Sequence, residues 1–431
     1  MKPHTRYLVG EKIMYFSMIY FAAVLPFQFR ILSPTIGIIG ILLGWLISFR
    51  PKQALLCFKK NVPLWFVSGL YLLGALSYFY TEDKDTWGRL MVLKMPTLLL
   101  PLALGTSAKF GQKHYKHWLL TFAFSTALSC LVLFSIGLYR QSLDPSQNYL
   151  YHQSFVAYHL IAVHYFTMYC SFAFIILLYY YLKARPIALG KKTIFFLSLA
   201  ALAAAIYVGA ARMQIVTFLL ISIIFITWYF GQKKSWKKLL IYQMIALGGI
   251  VGLALIIPGS QKRIIETYRE WMVYEGKSDD YQTNHRVFIW RDAMKVIEQN
   301  PLQGEGLGSA DNELNEYLKL ETAQFWRGNR PYTLGETNYN YHNTYLQHWA
   351  ALGILGLTFL VMAFLWPFIK MGKYSFLAYA MLFILGTSFI TESMLERQAG
   401  TLFFAYFFAM LIANANNSFR PSALSDYKKP A

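Results

Sequence analysis

The sequence predicts an all-α polytopic membrane protein, and two observations predict it. The 431 residues are 56% hydrophobic, 18% aromatic and only 14% charged, too apolar for a soluble chain of this length. The apolar residues also fall in long unbroken runs. A hydrocarbon core about 30 Å thick needs about 20 such residues per helix, and by that measure the chain holds about twelve spans.

The predicted spans are 13–29, 31–48, 62–80, 90–108, 118–139, 158–182, 193–210, 212–230, 239–257, 343–369, 374–391 and 398–415. The first apolar run lacks a small-residue cleavage site and opens a polytopic series, so it reads as a retained span. The organisation expected is spans one to nine over 1–257, a large helical loop over 258–342, spans ten to twelve over 343–415, and a polar tail over 416–431.

A net charge of +19 would suit a nucleic-acid binder, but its distribution argues otherwise. With the N-terminus inside, the inside segments carry 23 basic residues, among them Arg50, Lys59, Lys60, Lys191, Lys192, Lys233, Lys234, Lys370 and Lys373. The short outside loops hold Arg30, Lys84, Arg89, Arg140, Arg212 and Arg397. The positive-inside rule then puts both termini in the cytoplasm. Basicity here is topology, and no nucleic acid is implied. Cys57, Cys130 and Cys170 lie in or beside apolar runs without metal-ligand spacing, which fits small buried side chains. Neither a metal nor a cofactor is called for.

The loop at 258–342 departs from the hydropathy pattern. It holds 13 of the 21 acidic residues against 10 basic ones. Val287, Trp290, Ala293, Met294 and Ile297 recur at three- and four-residue steps, which predicts a helix that Asn300-Pro301 and the glycines of "GEGLG" end. "GEGLG" follows no strand and precedes no lysine, so it is read as a turn that lets backbone approach another surface, not as a nucleotide loop. A second helix is expected at 309–322, then an ordered loop at 325–340. Together they form a helical lid over the bilayer.

Five places carry ionisable groups of interest. Arg212, in "YVGAARMQIV", stands at a tight turn between spans, where a guanidinium either snorkels to headgroups or points its fork of donors into a cavity. Arg286 opens "RVFIW" and shares a helical face with Trp290, while Arg291 points elsewhere on that helix. His342 and Asn343, in "YHNTYLQ", stand where the chain re-enters the bilayer. They cap a helix or, for the imidazole, accept a proton from a hydroxyl. Glu392 and Glu396, in "TESMLERQAG", read as salt-bridge partners of Arg397 or of a lid arginine. His159 and His164, in "YHLIAVHYFTMY", share no helical face and imply no metal, but are candidates to line a cavity. Lys94 is the other charge that falls inside a span.

"AARMQ", "RVFIW" with "NPLQGEGLG", and "HNTYLQHWAALGILG", in that order over 205–400, resemble the O-antigen ligase and polymerase superfamily of bacterial inner-membrane glycosyltransferases. The first arginine stands in Ala-Arg-Met, where the family more often has Ser-Arg-Gly. The resemblance implies a GT-C-like fold with a periplasmic loop before span ten, and metal-independent transfer of a glycan from undecaprenyl diphosphate to an acceptor hydroxyl. It implies that Arg212 and Arg286 hold the diphosphate and that His342 acts on the acceptor. Arg291, Trp290, Asn343, Tyr345 and His164 are the further substrate contacts expected, and Trp326, Tyr332, Tyr339 and Tyr341 suit stacking against sugars. The reading chosen is ligation of polysaccharide to a lipid A-core acceptor in the periplasm. The alternatives are a polymerase or a protein O-oligosaccharyltransferase of the same superfamily and, from another class, a lipid-linked glycan transporter. Transporters place their charges near the bilayer midplane; here polar groups crowd the outer face.

Overall fold

The computed structural model describes residues 3–27, 33–107, 110–158, 161–183, 189–235, 285–321, 324–327, 330–370 and 372–416, with single positions between 237 and 248. Most of the expected span 239–257, the loop from 258 to 284 and the tail beyond 416 lie outside these residues.

The membrane helices are α1 (Pro3–Val24), α2 (Pro34–Ser48), α4 (Val62–Leu76), the pair α5 (Lys84–Lys94) and α6 (Pro96–Thr106), α7 (Gln112–Leu143), α8 (Val163–Lys183), α9 (Leu189–Val208), α10 (Arg212–Gln232), α13 (Thr344–Ile369), α14 (Phe376–Thr391) and α15 (Gln398–Asn416). Among the described residues nine helical stretches have the length and apolarity to cross a membrane, the α5–α6 pair counting as one, and α2 and α14 are shorter apolar helices. Side chains such as Phe16, Leu43, Leu72, Leu128, Leu131 and Val216 point outward and exposed. Helices apolar on both faces are what a lipid solvent requires.

Several boundaries differ from those expected. The first helix starts at Pro3 rather than 13, because its polar first turns continue the same helix. The fourth span begins at Lys84, where the Asp83 carboxylate caps the Thr86 N–H at 2.9 Å; it changes helix at Met95, ahead of Pro96, a proline at the first position of α6. The hydropathy count passed over α3 (Pro51–Lys60) because that helix is amphipathic: Ala54 and Cys57 are buried, Leu55, Leu56 and Phe58 exposed, and Lys59 and Lys60 close it. At the centre, α15 is buried on nearly every side, and its Tyr406 donates to Met18 O at 2.9 Å.

Beyond one end of the bundle sit α11 (Arg286–Gln299) and α12 (Ala310–Lys319), the two lid helices expected. What reads as an ordered loop at 325–340 is in part a two-stranded antiparallel hairpin. Its strands are β1 (Gln324–Arg327) and β2 (Arg330–Thr333), with Phe325 opposite Tyr332. Gly328 and Asn329, residue types of tight hairpin links, separate β-prone residues there. Phe288, Ile289, Ala293, Val296, Leu314, Leu318 and Phe325 form one apolar cluster with Met91, Ala350, Ala351 and Leu352 of the membrane helices.

The turn "NPLQGEG" fastens this cap. Inside α13, Gly353 takes φ 64° and ψ −165°, which breaks the helix ladder. The turn satisfies the backbone groups the break releases: Glu305 N–H donates to Ala350 O at 2.8 Å, Gly306 N–H to Ala351 O at 2.9 Å, and Ile354 N–H to Pro301 O at 2.9 Å. A Cβ on Gly353 would lie 2.0 Å from Leu302 O, and that backbone region is essentially restricted to glycine, at a cost on the order of 1–3 kcal/mol for other residues. Gly353→Ala is therefore expected to detach the turn. Limited proteolysis between 300 and 310, slow in the parent protein, should become fast at unchanged membrane insertion; an unchanged cleavage rate would contradict this docking.

Candidate active site at the capped end

Four elements bring ionisable side chains to one place. Residue 342 is presented by a strap held at both neighbours. Tyr341 is fully buried, and its hydroxyl donates to Ala310 O at 2.8 Å. Its carbonyl accepts the Trp290 indole N–H at 3.0 Å. Asn343 caps α13, its Oδ1 accepting from the Tyr345 and Leu346 N–H groups at 2.9 and 3.1 Å. Between them His342 takes φ 44°, in the left-handed region. Histidine is among the residue types enriched there, and such backbone is found disproportionately at functional sites.

The imidazole of His342 meets Glu392, the residue that ends α14: Nδ1 lies 3.3 Å from Oε2. Arg286, first residue of α11, donates to Glu392 Oε1 at 2.5 Å. His164, in the first turn of α8, lies with Nδ1 3.7 Å from Oε1. A third imidazole ring, His285, stands 6.0 Å from His342 between centroids. The Glu392 side chain is 8% exposed. Burial pushes its pKa up, but the hydrogen bond from His342 and the charges of His164, Arg286 and His342 outweigh that and hold it below the usual carboxylate range. Glu392 stays ionised, and one anion organises groups 228 positions apart in the chain, from 164 to 392.

Arg212 opens α10 at the same end of the bundle. The turn before it is tight: Ala210 has φ 47°, and a Cβ on Gly209 would stand 2.5 Å from Thr167 and 3.1 Å from Val163, on the turn of α8 that carries His164. One helical step below, Gln214 donates to Ser388 Oγ of α14 at 2.8 Å.

Other residues singled out in the sequence lie elsewhere or serve the frame. Arg291 pairs with Glu321 and, at 3.3 Å, with Asp292, on the outward side of α11. Tyr345 donates to Gly386 O at 3.1 Å, across the α13–α14 seam. Tyr341 is core, not a stacking platform for sugars, because its ring is buried and its hydroxyl engaged. Tyr339 faces His285, with ring centroids 5.2 Å apart, and Tyr332 packs against Phe325. The side chain of Trp326 and all of His159 lie outside the described residues.

The two glutamates behave differently. Glu392 finds the lid arginine expected of it, and two histidines as well. Glu396 pairs not with Arg397 but with Lys94, whose Nζ is 2.5 Å from Oε1 and 3.0 Å from Leu395 O. Both partners are nearly buried, which accounts for a lysine inside a span: the loop after α14 bends down to neutralise it.

Above this pair, Gln347 links the loop to the cap. Its Nε2 donates to Asp311 Oδ1 at 2.8 Å and its Oε1 accepts from Ser393 Oγ at 3.0 Å. Burial, then the charge of Glu396, pushes the Asp311 carboxyl up to about 7. A carboxyl with a raised pKa in the folded state contributes stability that is full at low pH and is lost as pH rises through about 7. Thermal unfolding in detergent should show the parent losing stability between about pH 4 and about pH 7, and Asp311→Asn a flatter curve there; parallel curves would contradict this environment.

The fold and the site define a multi-pass membrane protein with an ionisable centre at one end of its bundle, beneath the cap of α11, α12 and the hairpin. A family model described as O-antigen ligase matches residues 194–361, a match that supports the O-antigen ligase and polymerase superfamily, a group of glycosyltransferase-like membrane enzymes. No curated protein matched the chain. The matched stretch contains Arg212, Arg286 and His342, whereas His164 and Glu392 lie outside it.

Proposed function

We propose that the protein is an O-antigen ligase of a bacterial inner membrane, moving a polysaccharide from undecaprenyl diphosphate onto a lipid A-core acceptor without a metal ion. The carrying observation is the meeting of Arg286, His342 and His164 at Glu392, residues of three helix ends and a strap, in a chain of this family. Arg286 and Arg212 are assigned to the diphosphate, whose negative charge grows as it departs. His342 is assigned to the acceptor. In the transfer, the acceptor hydroxyl oxygen forms a bond to the anomeric carbon, the bond from that carbon to the phosphate oxygen breaks, undecaprenyl diphosphate leaves, and the hydroxyl proton passes to His342.

The distribution of basic residues supports cytoplasmic termini and a periplasmic site, where both lipid-borne substrates are within reach. Polymerisation by the same centre is the second reading, since donor and chemistry are shared and only the acceptor differs. A deletion strain separates the two. Accumulation of full-length lipid-linked polymer, with none on lipid A-core, is expected for a ligase; accumulation of single lipid-linked repeats would assign a polymerase. Transfer in proteoliposomes is expected to persist in chelator, and its loss there would remove the metal-independent assignment.

A further inference from the structure

Glu392 sits where both charged partners of the proposed reaction converge, yet neither the family match nor the sequence motifs include it. Its two oxygens are divided. Oε1 takes the Arg286 guanidinium at 2.5 Å and faces His164 at 3.7 Å, while Oε2 faces His342 Nδ1 at 3.3 Å. The backbone that carries the carboxylate is itself fixed from behind. Its backbone carbonyl accepts the Thr344 hydroxyl at 2.7 Å, the Met394 N–H donates to Thr344 Oγ1 at 2.9 Å, and the Glu392 N–H closes α14 on Ser388 O at 3.1 Å. A buried carboxylate on a fixed backbone, with Arg286 and His342 as its partners, leaves them only at the cost of burying its charge unpaired.

We propose that Glu392 is a positioning residue for glycan transfer: it holds His342 with Nδ1–H toward itself, and it holds Arg286 until the donor's diphosphate takes over the guanidinium. With Nδ1 donating to Glu392, His342 Nε2 is the nitrogen left to accept the acceptor's proton, and the carboxylate stabilises the imidazolium that forms. The diphosphate competes with the same carboxylate for Arg286. Glu392 therefore weakens donor binding while it speeds the chemical step, so its removal moves the two in opposite directions.

This inference rests on the transfer reading above, and the test separates the two. Purified Glu392→Gln, Glu392→Asp and Arg286→Ala proteins, each checked for thermal unfolding, are compared in proteoliposomes with a polyprenyl diphosphate-linked oligosaccharide and a lipid A-core acceptor. Inorganic pyrophosphate serves as a probe of the arginine site. Glu392→Gln is expected to lose about 100-fold in kcat with no rise in donor KM. It should bind pyrophosphate several-fold more tightly than the parent, and show the acid limb of its rate profile moved to lower pH. Glu392, His164 and His285 are the charged or titratable groups around His342, with Arg286 and Tyr165 facing the same carboxylate, and the substitution removes the anionic one. Glu392→Asp should recover part of kcat. A fall in kcat with a matching rise in KM, an unmoved acid limb and unchanged pyrophosphate binding is the signature of a merely structural role and would overturn the inference, as would full activity of Glu392→Gln. Should Glu392→Gln not fold, Glu392→Asp decides on the same split. Pyrophosphate that binds the parent and Arg286→Ala alike would instead remove the transfer reading itself.

Discussion

Arg286→Ala is expected to lower glycan transfer by about 100- to 1,000-fold, the scale on which one preorganised charge-stabilising donor is worth its place. The loss should fall mainly on kcat, because the leaving diphosphate carries more negative charge in the transition state than in the bound donor. Folding should be little affected: Glu392 keeps His342 and His164 as partners when the arginine is gone. Arg286→Lys is expected to recover only part of the rate, since an ammonium supplies charge without the planar fork. Initial rates in proteoliposomes with a lipid diphosphate-linked glycan check this, with thermal unfolding as the control. A rate within threefold of the parent would remove Arg286 from the diphosphate.

The second large effect is expected at His342, about 100- to 10,000-fold for loss of the proton acceptor. The choice of substitution matters, because the residue holds φ 44°. Alanine there adds on the order of 1–2 kcal/mol of left-handed backbone strain to the loss of the imidazole, whereas asparagine tolerates the conformation and cannot act as the base. His342→Asn should therefore keep the stability of the parent and lose the rate, while His342→Ala loses both. Parent-like turnover by a folded His342→Asn protein would take the base assignment away.

Much of the fold was legible because a bilayer leaves few choices. Spans announce themselves by length and apolarity, and the stripe Val287, Trp290, Ala293, Ile297 announced the first lid helix. Where the reading slipped, the reason is local. Helix α3 is amphipathic, so averaging over a span-length window erased it. The hairpin at 324–333 is four residues per strand, too short for alternation to stand out from a polar loop. "GEGLG" was readable as a close-approach turn, but not its partner, since the break at Gly353 lies within an apolar run that looks like continuous helix.

The candidate site was legible in part. Arg286 and His342 stood out because charged and titratable groups at a bilayer edge need a reason to be there. Glu392 was read as a salt-bridge partner of a lid arginine, which it is. The two histidines on the same carboxylate come from α8 and from the strap, and no sequence spacing encodes that meeting. The available signal was the scarcity of acid: outside 258–342 the chain has 8 acidic residues, and Glu392 and Glu396 are two of them, directly after a span. Asn343 and Tyr345 sit beside His342 in sequence, but helix geometry turns one to the α13 backbone and the other to α14.

The central claim is that Arg286 and His342 act as one unit through Glu392. A double-mutant cycle on the reconstituted transfer rate tests it most directly. Groups that act together lose their effect together, so the Arg286→Ala/His342→Asn double variant is predicted to be about as slow as the slower single variant. A double variant slowed by the product of the two single losses would show two independent sites, and would contradict the account.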